Sequence, residues 1–162
     1  MLIEFENRPG NAVAKIILQA GETCTAESGA MIAMSGNMDI TTTTHKKKGS
    51  GSLLKSLKRL FAGESFFLNH FEPKGDSGEV WVGTSLPGDM MDYDLDNESL
   101  IVQGGSFVAA DHGVEIDLGW QGFKSILSGE SIFWLNLNGS GKVVLSSFGA
   151  IYPVEVDGEY IV

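Results

Sequence analysis

Six of the chain's eleven basic residues crowd into one stretch: Lys46, Lys47, Lys48, Lys55, Lys58 and Arg59. Residues 46–59 hold no acid, while the rest of the chain sets the other five basic residues against 21 acidic ones. A positive island on an acidic body can bind an anionic partner. Near an anionic leaflet each such residue adds about 1 kcal/mol, and RNA phosphate is the other anion that such charge attracts. Leu53, Leu54, Leu57, Leu60 and Phe61 form one apolar stripe at helical period. The segment could therefore lay an apolar face into a membrane or protein interface. The plainer reading is a helix, N-capped by Ser52 and ended by Gly63, packed on a sheet end behind a solvated lysine loop.

Other chemical patterns are weaker. Asp92, Asp94 and Asp96 alternate as in a calcium loop, but an EF-hand needs Gly at its sixth position and Glu at its twelfth. Asn97 and Gln103 stand there. Alternate acids on a strand mark its solvated face. Asn138-Gly139-Ser140-Gly141-Lys142 resembles the end of a phosphate-binding loop, yet Asn136 replaces the first glycine and Val143 the magnesium-binding hydroxyl. A hairpin turn is expected instead. Gly63-Glu64-Ser65 and Gly129-Glu130-Ser131 lack the second glycine of a nucleophile elbow. His45, His70 and His112 have no metal-ligand spacing. Trp81, Trp120 and Trp134 read as core or interface aromatics. Cys24, the only cysteine, lies in an apolar stretch and reads as a buried thiol. No catalytic set, cofactor site or metal site is expected.

The elements that carry these residues are strands. Twenty-one glycines, four prolines and short apolar runs describe a turn-rich β protein. Strands are expected at 2–5, 12–19, 30–34, 38–43, 66–71, 79–84, 90–95, 100–103, 107–110, 114–116, 132–137, 143–147 and 150–156. The pairs 30–34 with 38–43 and 132–137 with 143–147 read as hairpins. A second turn of helix is expected at 123–127. Phe66, Phe67 and Phe71 supply apolar surface for association. The N-terminus lacks a signal peptide's basic start, no apolar run approaches ~20 residues, and the default compartment is the cytoplasm. A net charge of −10 argues against general nucleic-acid binding.

The chain also repeats itself. Glu22-Thr23-Cys24 through Met31-Ile32-Ala33 aligns with Glu98-Ser99-Leu100 through Phe107-Val108-Ala109, and Met38-Asp39-Ile40 with Val114-Glu115-Ile116, 76 residues on. Residues 57–67 align with 123–133, 66 residues on. Two copies of one strand unit follow, at about 22–84 and 98–147, in a single domain. Gly158-Glu159-Tyr160-Ile161-Val162 resembles the start of both, as though a third copy begins near 158 and is cut off. Its strand would then belong to a longer domain or pair with another subunit.

Ser28-Gly29-Ala30-Met31, Leu57-Lys58-Arg59-Leu60, Gly63-Glu64-Ser65, Pro87-Gly88-Asp89, Gln103-Gly104-Gly105-Ser106-Phe107, Leu127-Ser128-Gly129-Glu130 and 145–151 together resemble a known family. It comprises uncharacterised prokaryotic proteins related to the fungal altered-inheritance-of-mitochondria protein twenty-four. The resemblance implies an all-β fold of short repeated sheets like that of the tryptophan RNA-binding attenuation protein, and a homo-oligomer, with a trimer as one form. It implies no established activity. The resulting expectation is an all-β domain of pseudo-repeated antiparallel sheets, packed as a sandwich or barrel, with one short amphipathic helix. Its function would be non-catalytic assembly. An anionic membrane surface is the alternative partner, and RNA a weaker one by fold analogy alone.

Overall fold

The computed structural model describes residues 1–44, 67–118 and 134–161. They form eleven strands in chain order: β1 Leu2–Glu6, β2 Val13–Gln19, β3 Cys24–Glu27, β4 Met31–Met34, β5 Met38–Thr44, β6 Phe67–Pro73, β7 Ser77–Gly83, β8 Gly88–Gln103, β9 Phe107–Asp111, β10 Val114–Leu118 and β11 Trp134–Phe148. The one helical turn among the described residues is the 3-10 turn Gly104–Ser106. The helices expected over 53–61 and 123–127, with His45, Glu64, Phe66, Trp120 and Glu130, lie outside the described residues.

All pairings between strands are antiparallel, and the fold is all-β. One sheet has the order β1-β2-β7-β4 and the other β10-β11-β9-β3-β6-β5, with β8 running along β11. Period-two alternation explains which faces meet. In β2, Ala14, Ile16 and Leu18 are buried, and Val80 and Val82 of β7 lie beside them on the same face of the sheet. They share a core with Cys24, Ala26, Phe71, Met90, Val108 and Val144. A second core gathers Leu68, Leu95, Phe107, Ile116, Leu135, Leu137 and Val143. Burying each large side chain of this kind contributes about 1.5–3 kcal/mol.

The pairing register recurs along the chain. Cys24 lies opposite Phe71 and Ala26 opposite Asn69; Leu100 lies opposite Leu137 and Val102 opposite Leu135. Met38 faces Pro73 and Ile40 faces Phe71; Val114 faces Gly139 and Ile116 faces Leu137. Even an irregularity recurs. Between β4 and β7 the ladder steps from Met31–Val82 to Ala33–Trp81, leaving Ile32 over. Between β9 and β11 it steps from Phe107–Leu145 to Ala109–Val144, leaving Val108 over.

Five expectations change. The turn expected at 138–141 is the middle of β11, which does not reverse. Gly139 and Gly141 hold φ values of 120° and 140° and bend the strand, while β8 pairs with it on both sides of a bulge. The bulge sets Asn97 out of register at φ 54°, where its N–H donates to Ser140 Oγ at 2.9 Å. Likewise 90–95 and 100–103 are one strand, β8. Strands β4 and β5 are not a hairpin: the 35–37 connection carries the chain from one sheet to the other. Residues 150–156 form no strand. Phe71 is not available for association, being fully buried, whereas Phe67 is 37% exposed.

Candidate functional site

The basic set Lys46, Lys47, Lys48, Lys55, Lys58 and Arg59 and the apolar set Leu53, Leu54, Leu57, Leu60 and Phe61 all lie outside the described residues. The acidic strand is described. Asp92 and Asp94 project from β8 toward Lys142 on β11, whose Nζ donates to Asp92 Oδ2 at 2.6 Å and to Asp94 Oδ2 at 3.2 Å. Asp92, then Asp94, raise the pKa of Lys142 above its ordinary value. The lysine of the phosphate-loop look-alike therefore neutralises the acids of the calcium-loop look-alike across a strand pair. Among the described residues, no group of three or more His, Cys, Asp or Glu could hold a metal ion.

His70, on β6, is held on both ring nitrogens: Nδ1 lies 2.8 Å from Thr25 Oγ1 on β3 and Nε2 lies 2.7 Å from Thr43 Oγ1 on β5. Burial lowers its pKa, which favours the neutral ring. Such a histidine ties three strands together. Burial and Asp111 push the Cys24 thiol up to about 12, so it is inert at neutral pH. His112 sits in the turn between β9 and β10 with Nδ1 3.1 Å from Asp111 Oδ1.

One contact had no sequence signal beyond the presence of its two residues. Arg8, just past β1, grips Asp89 at the start of β8 in a bidentate pair, Nε to Oδ1 at 2.7 Å and Nη2 to Oδ2 at 2.9 Å. Asp89 Oδ1 also accepts from the Met90 N–H at 2.8 Å. The Arg8 guanidinium, with that N–H, holds the carboxyl below its ordinary value of 3.8. A carboxylate whose pKa is lower folded than unfolded stabilises the fold above its unfolded value, and that contribution fades as pH falls through the folded value. Thermal melts from pH 7 down to about 2 should show the native chain losing stability below about pH 4. Asp89→Asn should be less stable at pH 7 and show a shallower acid limb. An unchanged acid limb would show that Arg8 and Asp89 contribute nothing to the fold.

The exposed surface points elsewhere, to two strand edges. Strand β4, Met-Ile-Ala-Met, pairs with β7 alone among the described residues and is exposed along its whole length. Ile32 is 59% exposed and Met34 is 37% exposed. The segment 100–102 of β8 pairs with β11 alone among the described residues, and its Ile101 is 66% exposed. Large apolar side chains are also exposed along 148–161, at Phe148, Tyr152, Val154, Val156, Tyr160 and Ile161. A sequence signal existed for β4: four apolar residues in a row do not alternate, so the strand needs cover on more than one side.

Among the described residues no helix is long and apolar enough to cross a membrane. An uncharacterised protein of Streptococcus pyogenes serotype M6 is 25% identical over 150 residues, covering 90% of this chain and 60% of that protein. The chain thus spans less than two thirds of this curated relative's length. The crystal structure of a Streptococcus pyogenes protein matches with a TM-score of 0.74 at 21% identity, covering 97% of this chain and 69% of that one, a likeness of fold. The family model described as mitochondrial biogenesis AIM24 matches residues 3–162, and the chain belongs to that family.

Proposed function

We propose that the chain is a non-catalytic interaction module that works in the cytoplasm as a homo-oligomer such as a trimer. The observation that carries this reading is the row of large apolar side chains left uncovered at strand edges, Met31, Ile32, Met34 and Ile101. Apolar edges of this kind mark association surfaces, because an uncovered strand edge pairs readily with another chain. The recurring register supports two copies of one unit over 22–84 and 98–147, with a third beginning near 158. It is also compatible with sheets arranged as in the tryptophan RNA-binding attenuation protein, with a short amphipathic helix over 53–61. The described ionisable groups named above serve structural contacts: Lys142 bridges two acids, His70 ties three strands, and Asp89 holds Arg8.

A second reading rests on charge. Six of the eleven basic residues fall in 46–59 of a chain with net charge −10, which favours an anionic membrane surface over nucleic acid as partner for that segment. RNA binding has fold analogy alone behind it. One experiment separates these readings: light scattering of the free protein, with co-sedimentation on anionic and neutral vesicles across a salt series. Assembly predicts a defined oligomer that ignores vesicles. Salt-sensitive binding to anionic vesicles, lost when the six basic residues are neutralised, would favour the membrane instead. A monomer that ignores vesicles would overturn both.

A further inference from the structure

Strand β5 is pegged to β6 on both faces. On one face Thr42 Oγ1 donates to Asn69 Oδ1 at 2.7 Å, and Asn69 is buried. On the other the His70 ring spans three strands, with Thr25 Oγ1 of β3 at Nδ1 and Thr43 Oγ1 of β5 at Nε2. The Asn69 peg does not titrate, whereas the His70 peg does. A neutral ring has one N–H and one lone pair, so one threonine accepts from it and the other donates to it. A second proton turns both nitrogens into donors, and the donating threonine must swing its hydroxyl proton away. The same proton puts a charge on the face that carries Leu68, two residues along β6 and part of the second core.

The recurring register shows what the place requires. Thr25, His70 and Thr41 stand in one row across β3, β6 and β5. Ile101, Asn136 and Asp117 form the matching row across β8, β11 and β10. A side-chain amide occupies the position of the ring there, so the sheet itself does not need an imidazole. What the ring adds over the amide is a proton that it can gain near neutral pH. Burial lowers its pKa from the ordinary 6.5. The charged groups around it do not reverse this. Glu72 on β6 and Glu27 on β3 stand on the same face, two residues from His70 and Thr25, about 7 Å along the strands. Asp39 of β5 is paired to Lys74 at 2.6 Å. Asp111 of β9 lies opposite Cys24, on the other face of the sheet. Lys15 of β2 and Glu79 of β7, the strands packed beyond that face, are paired to each other at 3.3 Å.

We propose that His70 is a proton-sensitive clasp: a second proton on the ring loosens the hold of β6 on the end of β5, and its loss restores that hold. The ring binds its second proton more weakly when the seam is closed than when it is open. The closed seam is therefore at full strength above about pH 6.5 and weakens as pH falls from there through the ring's own midpoint, below which the effect levels off. Strand β5 ends at Thr44 and the basic run begins at Lys46, so the clasp sits on the strand that leads into that run.

The test is proton–carbon NMR of the His70 ring across a pH series, with hydrogen exchange of the amides of residues 41–44 corrected for the intrinsic pH dependence of exchange. The ring should titrate below 6.5. Protection of residues 41–44 should fall with acid by about tenfold for each unit by which the ring's midpoint lies under 6.5, while the amides of β2 hold. His70→Asn, which installs the amide of the matching row, should remove the fall and so separates His70 from His45 and His112. A ring that titrates at or above 6.5 would overturn the clasp. So would protection at 41–44 that ignores pH, that falls equally in β2, or that still falls in His70→Asn. If His70→Asn does not fold, the native chain alone decides: a fall in protection that matches the ring's midpoint supports the clasp, and a mismatch sinks it.

Discussion

Phe71→Ala should cost the fold about 3–5 kcal/mol, the cost of truncating a buried aromatic where the site cannot collapse. Among the described residues Phe71 is the largest fully buried side chain, on β6 between β3 and β5, opposite Cys24 and Ile40. Its ring belongs to the core that takes Ala14, Ile16, Val80 and Val82 from one sheet and Ala26, Val108 and Val144 from the other. Loss of the ring opens a void that strands fixed by ladders on both sides cannot fill. For a chain of this length, 1 kcal/mol moves the melting temperature by roughly 2–4 °C, so a fall of about 10 °C is expected. Phe67 provides an internal control. It has the same side chain on the same strand but is partly exposed, and Phe67→Ala should cost far less. Urea unfolding followed by tryptophan fluorescence measures both. Equal costs would mean that Phe71 is no better covered than Phe67 at the end of the strand.

Gly139→Ala is the second large effect, and its cause is backbone strain. Gly139 holds φ at 120°, a region L residues rarely adopt, and a Cβ there would run into the carbonyl oxygen of Gly113. The conflict is reciprocal, because a Cβ on Gly113 would meet the carbonyl of Ser140. The turn from β9 to β10 thus nests against the bend of β11 through two glycines. Substitution should cost at least about 2 kcal/mol, compounding φ strain and the clash. Gly105→Ala is the comparison: nothing lies within 4 Å of a Cβ there, and its φ is not positive. It should be close to neutral. Comparable losses for the two would locate the bend of β11 elsewhere.

The strand content was legible because alternation is a local property. Ala14, Ile16 and Leu18 in β2 and Val80 and Val82 in β7 announce their inward faces by period two alone. The continuity of β8 and β11 was not legible. Glycine at 139 and 141 reads as a reversal in isolation, and only the partner strand lying alongside shows that the backbone bends and continues. The same blindness covers the Arg8–Asp89 clasp, since residues 81 positions apart carry no mutual spacing rule. In the sequence Lys142 stands in a glycine-rich string, whereas its chemistry is set by Asp92 and Asp94 across the sheet. For the exposed edge, the apolar run Met31-Ile32-Ala33-Met34 is legible as a strand. Which described strands lie beside it is a property of topology, which no local pattern contains.

The seam between β3 and β9 spans three residue pairs. Between free molecules a ladder that short would form and break by collision, its occupancy rising and falling with how much protein is present. Within one polypeptide the linked halves meet at an effective concentration set by the connecting chain, in the millimolar range for short flexible links, and the seam persists at any dilution.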